Sequence, residues 1–413
     1  MENAEARNSL KTLKRKNRHR VLEYIRGNAA VSVAAVAEAT GLSKMTVHKI
    51  IGHHLGASLI APAGKGLSTE EGGKKPNLYA FNPNYRYIFA VKIVERQLSS
   101  ALANLRGEIA SSHTALYDRD TDLADILKMI RWAFHSLIKR QRISEEDCIG
   151  AVVGCHGIID VDQGVCVISP HFVSWGSDVP IRDRIAEVLP RGMPVYVDNW
   201  LRYHAYGEMK AGAAADRGRF FLIGTEWDGL AGALVIDGRI YRGNGGLAGE
   251  IGHMVVDPAN PDVCACGGVG CLEVAVSPNR LASRAMALRR DWPDSVLFRV
   301  QSRRDVSFAN ILKASNRGDG LACALIDGSA RHFAVAVNNV VQVCDPGLVI
   351  IQGEYAQAGD YFLNRLRDRV RRMTLLRMDK SVDIEYSSLG DECTLNGSAH
   401  FLADQYFAGM DAN

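Results

Sequence analysis

Three cysteines and one histidine lie within nineteen residues of one another in the middle of the chain: His253, Cys264, Cys266 and Cys271. Thiolate sulfur and imidazole nitrogen are preferred ligands of zinc, and three cysteines with one histidine form a common closed structural site. The glycines among the cysteines let the backbone fold around an ion. The pattern therefore predicts a structural zinc site; the alternative is three surface thiols and a histidine of the core.

The chain around this cluster alternates short apolar segments with helical ones from Tyr87 onward. The segments predicted to be strands are Ile88–Val94, Ile149–Val153, Val195–Val197, Phe220–Ile223, Ala233–Ile236 and Leu348–Ile351. Such alternation is typical of α/β proteins, in which helices cover the faces of a sheet. We therefore expect an α/β body to position the metal ligands.

The N-terminal segment has the pattern of two short helices joined by a tight turn. Ser32 caps a predicted helix over Val33–Thr40, which ends at Gly41, and Ser43 caps the helix that follows. Two such helices form a helix-turn-helix, whose second helix enters the major groove of DNA. The residues predicted to face DNA are Ser43, Lys44, Met45, Thr46, Lys49 and His53.

The second helix of this motif also needs an apolar face that packs on the rest of the domain. Its buried stripe is predicted to consist of Val47, Ile50, Ile51 and Leu55. We expect His48, His53 and His54 to be surface residues with no role in titration.

A wing is predicted to follow the second helix. Two glycine-containing segments, Gly64–Gly66 and Gly72–Pro76, flank a polar loop. Leu78–Phe81 then has the pattern of a short strand. Lys74 and Lys75 in this loop suit contacts to phosphate or to the minor groove. Winged domains also serve contacts between proteins, but residues 7–26 have the pattern of a helix with eight Lys and Arg, and this basic helix beside the winged domain favours DNA.

The composition bounds the class and the compartment. A chain of 413 residues is long enough for two or three domains, and its apolar content of 47% and charged content of 23% are those of a globular protein. Residues 1–80 hold 13 Lys and Arg against 6 Asp and Glu, so a basic domain is joined to a mildly acidic body. There is no apolar run of membrane-spanning length and no secretory signal, and the nine cysteines are irregularly spaced. These features predict a cytoplasmic protein with no membrane insertion.

Several segments together resemble the ROK family of sugar kinases and sugar-responsive repressors. They are Gly41–Lys44 with Thr46–Val47, Gly249–His253, Cys264–Glu273, and Asp345–Pro346 with Val349–Gly353. The resemblance implies an actin-like body of two α/β lobes with a ligand cleft between them, and homodimers or homotetramers. The expected domains are residues 1–85 as a winged helix-turn-helix, residues 86–200 plus 387–413 as the smaller lobe, and residues 201–386 as the larger lobe.

The resemblance also assigns roles to single residues. It implies that His253, Cys264, Cys266 and Cys271 hold zinc and that Glu250, His253 and Glu273 bind sugar hydroxyls from the cleft wall. The other positions expected in the ligand site are His171, Asn199 and Trp200. A carboxylate accepts hydrogen bonds from hydroxyl groups, and a metal-bound imidazole keeps one ring nitrogen free. The alternative for the two glutamates is a helix cap or a surface ion pair.

The chain departs from the family's kinases at the places that phosphoryl transfer needs. At the position of the first phosphate loop the chain has Lys92–Arg96, which lacks the usual glycines. At the position of the second loop it has Gly229–Ala233, in which alanines replace usual glycines. Trp200 stands where the catalytic aspartate is expected, and an indole cannot accept a proton from a hydroxyl group. Asp198 is a conceivable substitute base. It lies two residues before the expected position, however, and its side chain is expected to point in a different direction from that of the base.

These observations predict a ligand-responsive transcriptional regulator, a repressor of carbohydrate uptake or catabolism genes, rather than an enzyme. Its expected partners are a double-stranded DNA operator and a sugar or sugar-derivative effector. Since Trp200 and His171 replace two of the family's ligand contacts, the effector is a different carbohydrate or the response is altered or lost. Two alternatives stay open: a sugar kinase with an accessory DNA-binding head, and a regulator whose body docks a transport protein.

Overall fold

The computed structural model describes the chain apart from residues 1, 68–74, 95, 119, 170–171, 227–228, 300–305, 374–381, 391 and 413, and apart from the side chains of residues 2–11, 173 and 410–412. The helices are α1 Glu2–Arg26, α2 Val33–Thr40, α3 Lys44–Gly56, α4 Leu123–Gln141, α5 Ile181–Ala186, α6 Trp200–Ala211, α7 Leu272–Val276, α8 Pro278–Ala287, α9 Phe308–Ser315, α10 Gly320–Cys344, α11 Gly359–Met373 and α12 Cys393–Ala412. The strands are β1 Val31–Ser32, β2 Ile60–Lys65, β3 Asn77–Phe81, β4 Tyr87–Val94, β5 Gln97–Asn104, β6 Ile109–Leu116, β7 Cys148–Cys155, β8 Ile158–Asp160, β9 Val165–Ile168, β10 Val195–Asn199, β11 Phe220–Thr225, β12 Leu230–Ile236, β13 Arg239–Tyr241, β14 Leu348–Gly353 and β15 Asp383–Tyr386.

The N-terminal domain is a winged helix-turn-helix, as the sequence predicts. Ser32 Oγ accepts a hydrogen bond from Ala35 N at 3.2 Å, and Ser43 Oγ accepts one from Thr46 N at 3.2 Å. Gly41 takes the left-handed conformation, with φ of 65°, at the turn between α2 and α3. The strands β1, β3 and β2 form a small antiparallel sheet beside the helices.

The body contains two five-stranded sheets of the same design. In the order β10-β7-β4-β5-β6, the first three strands are parallel and the last two continue as an antiparallel meander. The second sheet, β13-β12-β11-β14-β15, combines the parallel strands β11, β14 and β15 with the antiparallel β12 and β13. The α/β class is thereby confirmed, and each of the six segments predicted to be strands forms part of one of these sheets.

Within the described residues, the chain passes between the two sheets at two places. It leaves β10 through α6 to reach β11, and it returns from β15 to α12, which packs on β4 and β7. Helices α6 and α12 lie against each other at close range: a Cβ at Gly397 would lie 1.9 Å from the Tyr203 carbonyl oxygen. The expected division of the body into residues 86–200 plus 387–413 and residues 201–386 stays a prediction.

The DNA-binding domain shares a core with the first sheet and α12. Apolar residues of α1 and β3, such as Ile25 and Phe81, belong to the same buried cluster as Ile88 and Phe407. The guanidinium carbon of Arg26 lies 3.7 Å from the centre of the Phe407 ring. The last turn of α1 therefore rests on α12, which is the second of the two connections between the sheets.

One helix in the described part of the chain, α10, is long and apolar enough by length and composition to span a membrane. More than half of its most apolar stretch is buried inside the fold. Its residues, such as Phe333 and Val337, lie in the core of the second sheet with Ile351 and Phe362. Its apolar character is thus that of a core helix.

His54 is buried, and here the sequence-based expectation of a surface residue was wrong. Only 3% of the residue is exposed, and its Nε2 lies 3.1 Å from the Arg18 carbonyl oxygen. Burial lowers the pKa of His54 to about 4. The inward face of α3 runs through Val47, Ile50 and Ile51 to His54, while the predicted Leu55 is only half-buried.

We expect the protein to lose stability as the pH falls from 7 to 5, in part through His54. A histidine whose pKa is lowered by folding stabilises the fold above about pH 6.5, and that contribution is lost as the pH falls towards 4. The expected contribution over this range is about 2 kcal/mol. In His54→Gln, urea unfolding at pH 7 and pH 5 should show a correspondingly smaller difference. The exposed His48→Gln is the control, and an equal pH dependence in both variants would contradict the assignment.

Candidate metal centre and ligand cleft

The four residues of the predicted metal site lie together in space. One ligand atom from each of His253, Cys264, Cys266 and Cys271 lies within 4.8 Å of the others. Cys264 Sγ is 3.5 Å from His253 Nδ1, and Cys266 Sγ is 3.7 Å from Cys271 Sγ. All nine cysteines are free thiols, so no disulfide competes for these sulfur atoms. The cluster can hold a metal ion that prefers sulfur and nitrogen ligands.

Short backbone contacts hold the cysteine-bearing loop in this shape. Cys264 N donates to the Gly268 carbonyl oxygen at 2.8 Å, which closes the turn that carries Cys266. Gly270 has φ of 75°, and a Cβ there would lie 2.5 Å from the Asp257 carbonyl oxygen. A hydrogen bond from the Gly268 N–H lowers the pKa of Cys266, which favours the thiolate form that a metal binds.

The two predicted cleft glutamates lie beside the metal cluster. Glu273, on α7, places Oε1 3.6 Å from Cys264 Sγ, while its Oε2 accepts a hydrogen bond from Leu230 N at 3.1 Å. Burial raises the pKa of Glu250, and the charges of His253 and Arg202 act in the opposite direction. The structure thus brings Glu250, His253 and Glu273 together. One oxygen of Glu273, Oε2, is already engaged by the backbone at the start of β12.

Trp200 is the first residue of α6 and is almost fully buried, with 2% of it exposed. Lys92 Nζ lies 4.3 Å from the ring centre, and the His156 ring lies 5.7 Å away. Its Nε1 has no hydrogen-bond partner in the described part of the chain. The ring is therefore part of a buried apolar cluster between the lobes, and its N–H is buried without a partner among the described residues.

An ion network that the sequence analysis missed lies over this tryptophan. Glu226, just after β11, has Oε2 2.7 Å from His156 Nε2 and Oε1 3.4 Å from Lys92 Nζ. Burial acts to raise the pKa of Glu226, but the charges of His156 and Lys92 lower it to about 2. Since Lys92 lies on β4 and Glu226 follows β11, the pair joins the two sheets across the cleft. The only sequence signal was a lysine inside the first phosphate loop.

Asp198 is fully buried and bound to two arginines. Its Oδ1 accepts from Arg202 at 2.7 Å, and its Oδ2 accepts from Arg242 Nε at 2.8 Å. Arg202 also donates to the Gly246 carbonyl oxygen, which fixes the glycine-rich loop before Glu250. Both carboxylate oxygens are therefore engaged, and a base would need one of them free to accept a proton.

The remaining predicted residues fall into three groups. Asn199 caps α6 through Leu201 N at 2.9 Å and donates to the Gly157 carbonyl oxygen at 3.1 Å, so both ends of its amide are used within the chain. Lys74 and His171 lie outside the described residues. The exposed residues predicted to face DNA are Ser43, Lys44, Met45, Lys49, His53 and Lys75, while Thr46 is half-buried.

Comparison with known proteins agrees with this architecture. The ROK family model matches residues 89–405, and a winged helix-turn-helix DNA-binding model matches residues 14–52. The chain belongs to the ROK family. Its fold class, a winged helix-turn-helix on an actin-like body of two α/β lobes, is thereby confirmed.

Relatives in the ROK family include both regulators and kinases. The chain is 26% identical to a putative xylose repressor of Caldicellulosiruptor sp. over 95% of its own length and 96% of the relative's. It is 28% identical to a glucokinase of Halalkalibacterium halodurans, and this match covers 78% of the chain and 96% of the relative. A crystal structure of a ROK family transcriptional regulator, a homologue of E. coli MLC protein, superposes with a TM-score of 0.80 at 22% identity, covering 97% and 98% of the two chains.

We expect Asp198→Asn to destabilise the ROK body by about 3 to 5 kcal/mol, because the change leaves two guanidinium groups without their buried counter-charge. Urea denaturation of the native and variant chains measures the difference. Asp237→Asn is the matched control, since Asp237 pairs with Arg219 at the surface and such pairs contribute about 1 kcal/mol or less. Equal midpoints for the two variants would show that the Asp198 network does not stabilise the cleft.

Proposed function

We propose that this protein is a cytoplasmic DNA-binding transcriptional regulator, a repressor of carbohydrate uptake or catabolism genes, and that its kinase-like body binds a ligand without phosphorylating it. The observation that carries the proposal is the combination of an exposed basic α3 with a cleft bridged by Lys92 and Glu226 over Trp200. The repressor named above, which matches over nearly the whole chain, supports the same conclusion.

DNA binding is assigned to α3 and the wing. In a helix-turn-helix the second helix lies in the major groove with its N-terminal residues at the base edges, which is where Ser43, Lys44, Met45 and Thr46 lie. Lys49, His53 and the wing residues Lys74 and Lys75 are assigned to contacts that position the protein on the duplex. A homodimer or homotetramer would present two such heads to a two-fold operator.

The absence of kinase activity is proposed from the chemistry of the cleft. Phosphoryl transfer requires a base beside the sugar hydroxyl and amides or cations around the phosphates. Trp200 supplies no base, Asp198 is bound by two arginines, and Glu226 brings negative charge between the lobes. A nucleotide would have to break the Lys92–Glu226 pair, and its phosphates would then face the negative charge of the Glu226 carboxylate beside His156.

Ligand binding is assigned to the carboxylates and the imidazole beside the metal cluster. Glu250, His253 and Glu273 provide acceptors and one ring nitrogen for hydroxyl groups, whereas the buried Nε1 of Trp200 would have to be uncovered before it could donate. A sugar or sugar derivative fits this set. His171 and Asn199 are retained as candidate contacts. The Asn199 side chain would first have to release its hydrogen bond with Leu201 N, which caps α6.

The signal is proposed to travel along α6 to the DNA-binding domain. This helix begins in the cleft at Trp200 and ends beside α12, where Tyr206 Oη and Lys210 Nζ each lie 2.7 Å from Asp404. Asp404 also lies 3.6 Å from Arg26 at the end of α1. A ligand that favours one arrangement of the lobes would therefore move the support on which the head rests.

Zinc is proposed as the ion of the metal cluster, held by His253, Cys264, Cys266 and Cys271. Sulfur atoms at about 2.3 Å from a tetrahedral zinc lie about 3.8 Å apart, close to the separation of 3.7 Å between Cys266 and Cys271. The ion would have a structural role: it would tie the cysteine loop to the turn that carries His253 and so aim Glu250 and Glu273 at the cleft.

Genome-wide mapping of bound DNA tests the proposed function directly. The proposal expects reproducible sites beside genes for carbohydrate transport or catabolism, and those genes would name the class of the effector. Binding of the mapped sites in vitro should change when a sugar of that class is added. A protein that enriches no sites above the untagged control would contradict the proposal.

We expect Lys49→Ala to weaken DNA binding similarly for a mapped site and a random duplex, because a phosphate contact is independent of sequence. The slope of the logarithm of affinity against the logarithm of salt concentration should fall by about one. Fluorescence anisotropy at several salt concentrations measures both effects. Lys128→Ala, an exposed lysine of α4 on the body, is the control, and an unchanged affinity of the Lys49 variant would remove it from the interface.

We expect Cys266→Ser to lose about one zinc ion per chain and to lower the melting temperature of the body, because a structural ion contributes its binding free energy to folding. Elemental analysis of the gel-filtered protein measures the metal content. Cys344→Ser, a half-buried thiol at the end of α10, should keep the native content. If Cys266→Ser retained the native zinc content, the assignment would be refuted.

A further inference from the structure

A second cluster of metal-ligating side chains lies where α6 meets α12, away from the zinc site. His204 and Glu208 are four residues apart on one face of α6, and Cys393 is the first residue of α12. One ligand atom from each lies within 4.8 Å of the others. The three residues are 3%, 0% and 4% exposed, so the whole cluster is buried.

The histidine of this cluster has an unsatisfied nitrogen. His204 Nε2 is buried and has no hydrogen-bond partner among the described residues; it lies 3.6 Å from Glu208 Oε1. Its other nitrogen, Nδ1, lies 3.4 Å from Thr394 Oγ1. Nearly all buried polar atoms in proteins are hydrogen-bonded. The His204 Nε2 atom, which faces Glu208 without a hydrogen bond, therefore needs an explanation. A cation between the two groups supplies one.

The surroundings orient the carboxylate as a ligand. Glu208 Oε2 accepts from Ala213 N at 3.0 Å, and Oε1 accepts from the Ser387 hydroxyl. Outer contacts of this kind hold ligands in place in known metal sites.

The close approach of the thiol is also built into the sequence. Gly207 lies between the two ligands of α6, and a Cβ there would be 2.6 Å from Cys393 Sγ. A side chain at residue 207 would therefore push the sulfur away from His204 and Glu208. The glycine allows the two helices to approach until the sulfur joins the cluster.

We propose that His204, Glu208 and Cys393 form a second metal site, which takes a divalent transition ion such as zinc. Imidazole, carboxylate and thiolate are the three ligand types of protein zinc sites. A divalent cation with one carboxylate and one thiolate forms a set with no net charge, which lowers the cost of burying it. The thiol releases its proton when the ion binds, as coordinated thiols do.

The site lies on both connections between the lobes. His204 and Glu208 belong to the α6 connection, while Ser387 and Cys393 belong to the return from β15 to α12. An ion bound here would tie the two connections together and limit the movement of one lobe against the other. This consequence for regulation rests on the proposed function, whereas the metal site itself does not.

Metal stoichiometry of the full-length chain tests the site. After saturation with zinc and gel filtration, the native protein should hold about two zinc ions per chain, Cys266→Ser about one, and His204→Ala or Cys393→Ser about one. The double variant Cys266→Ser/His204→Ala should hold none, and Cys344→Ser is the control at about two. A native stoichiometry of one, or a value of two that survives both His204→Ala and Cys393→Ser, would overturn the proposal.

Cobalt titration of the native chain keeps the test independent of how the variants fold. The proposal expects two equivalents to bind, the second with a sulfur-to-cobalt absorption band of the strength that one thiolate gives. Saturation after one equivalent would overturn it. Neither measurement involves DNA, so failure of the second site is distinguishable from failure of the regulator assignment.

Discussion

The ion pair of Lys92 and Glu226 joins the two lobes, and its lysine lies in the segment that resembles, without the glycines, the first phosphate loop of the family's kinases. The pair is half-buried between β4 and the turn after β11, and His156 shares the carboxylate. Such a pair is stable only while both partners and their hydrogen bonds stay in place. The pair therefore ties β4 to the turn after β11 directly above the ring of Trp200.

Helix α6 connects this cleft with the other functional parts of the molecule. Its first turn carries Trp200 and the arginine that binds Asp198, its middle carries His204 and Glu208, and its last turn reaches Asp404 on α12. Because a rigid helix moves as a unit, a displacement of its cleft end would also displace its contacts with α12 and, through them, the DNA-binding domain. One element thus connects the proposed ligand site, the proposed second metal site and the contact with the DNA-binding domain.

The parts of this structure that follow local rules could be predicted from sequence, and those that depend on distant pairing could not. The caps at Ser32 and Ser43 and the apolar segments of β4 and β7 were predicted because local patterns determine them. The polar strands β5 and β6 lack a continuous apolar run and were not predicted. The partner of Lys92, Glu226, and one of the two partners of Asp198, Arg242, come from segments far along the chain, where no local pattern links them. His54 was misassigned because a single histidine on a helix face carries too little signal to mark it as buried.

The most direct test of this account is a coupled assay for ATP-dependent phosphorylation across a panel of hexoses, pentoses and amino sugars, with a ROK glucokinase as the positive control. The account predicts no turnover above the rate without protein for any sugar, because Trp200 stands where the base is expected and Lys92, in the segment that resembles a phosphate loop, is paired with Glu226. Turnover that rises in proportion to the concentration of the native protein would contradict it and make the chain a kinase with a DNA-binding head.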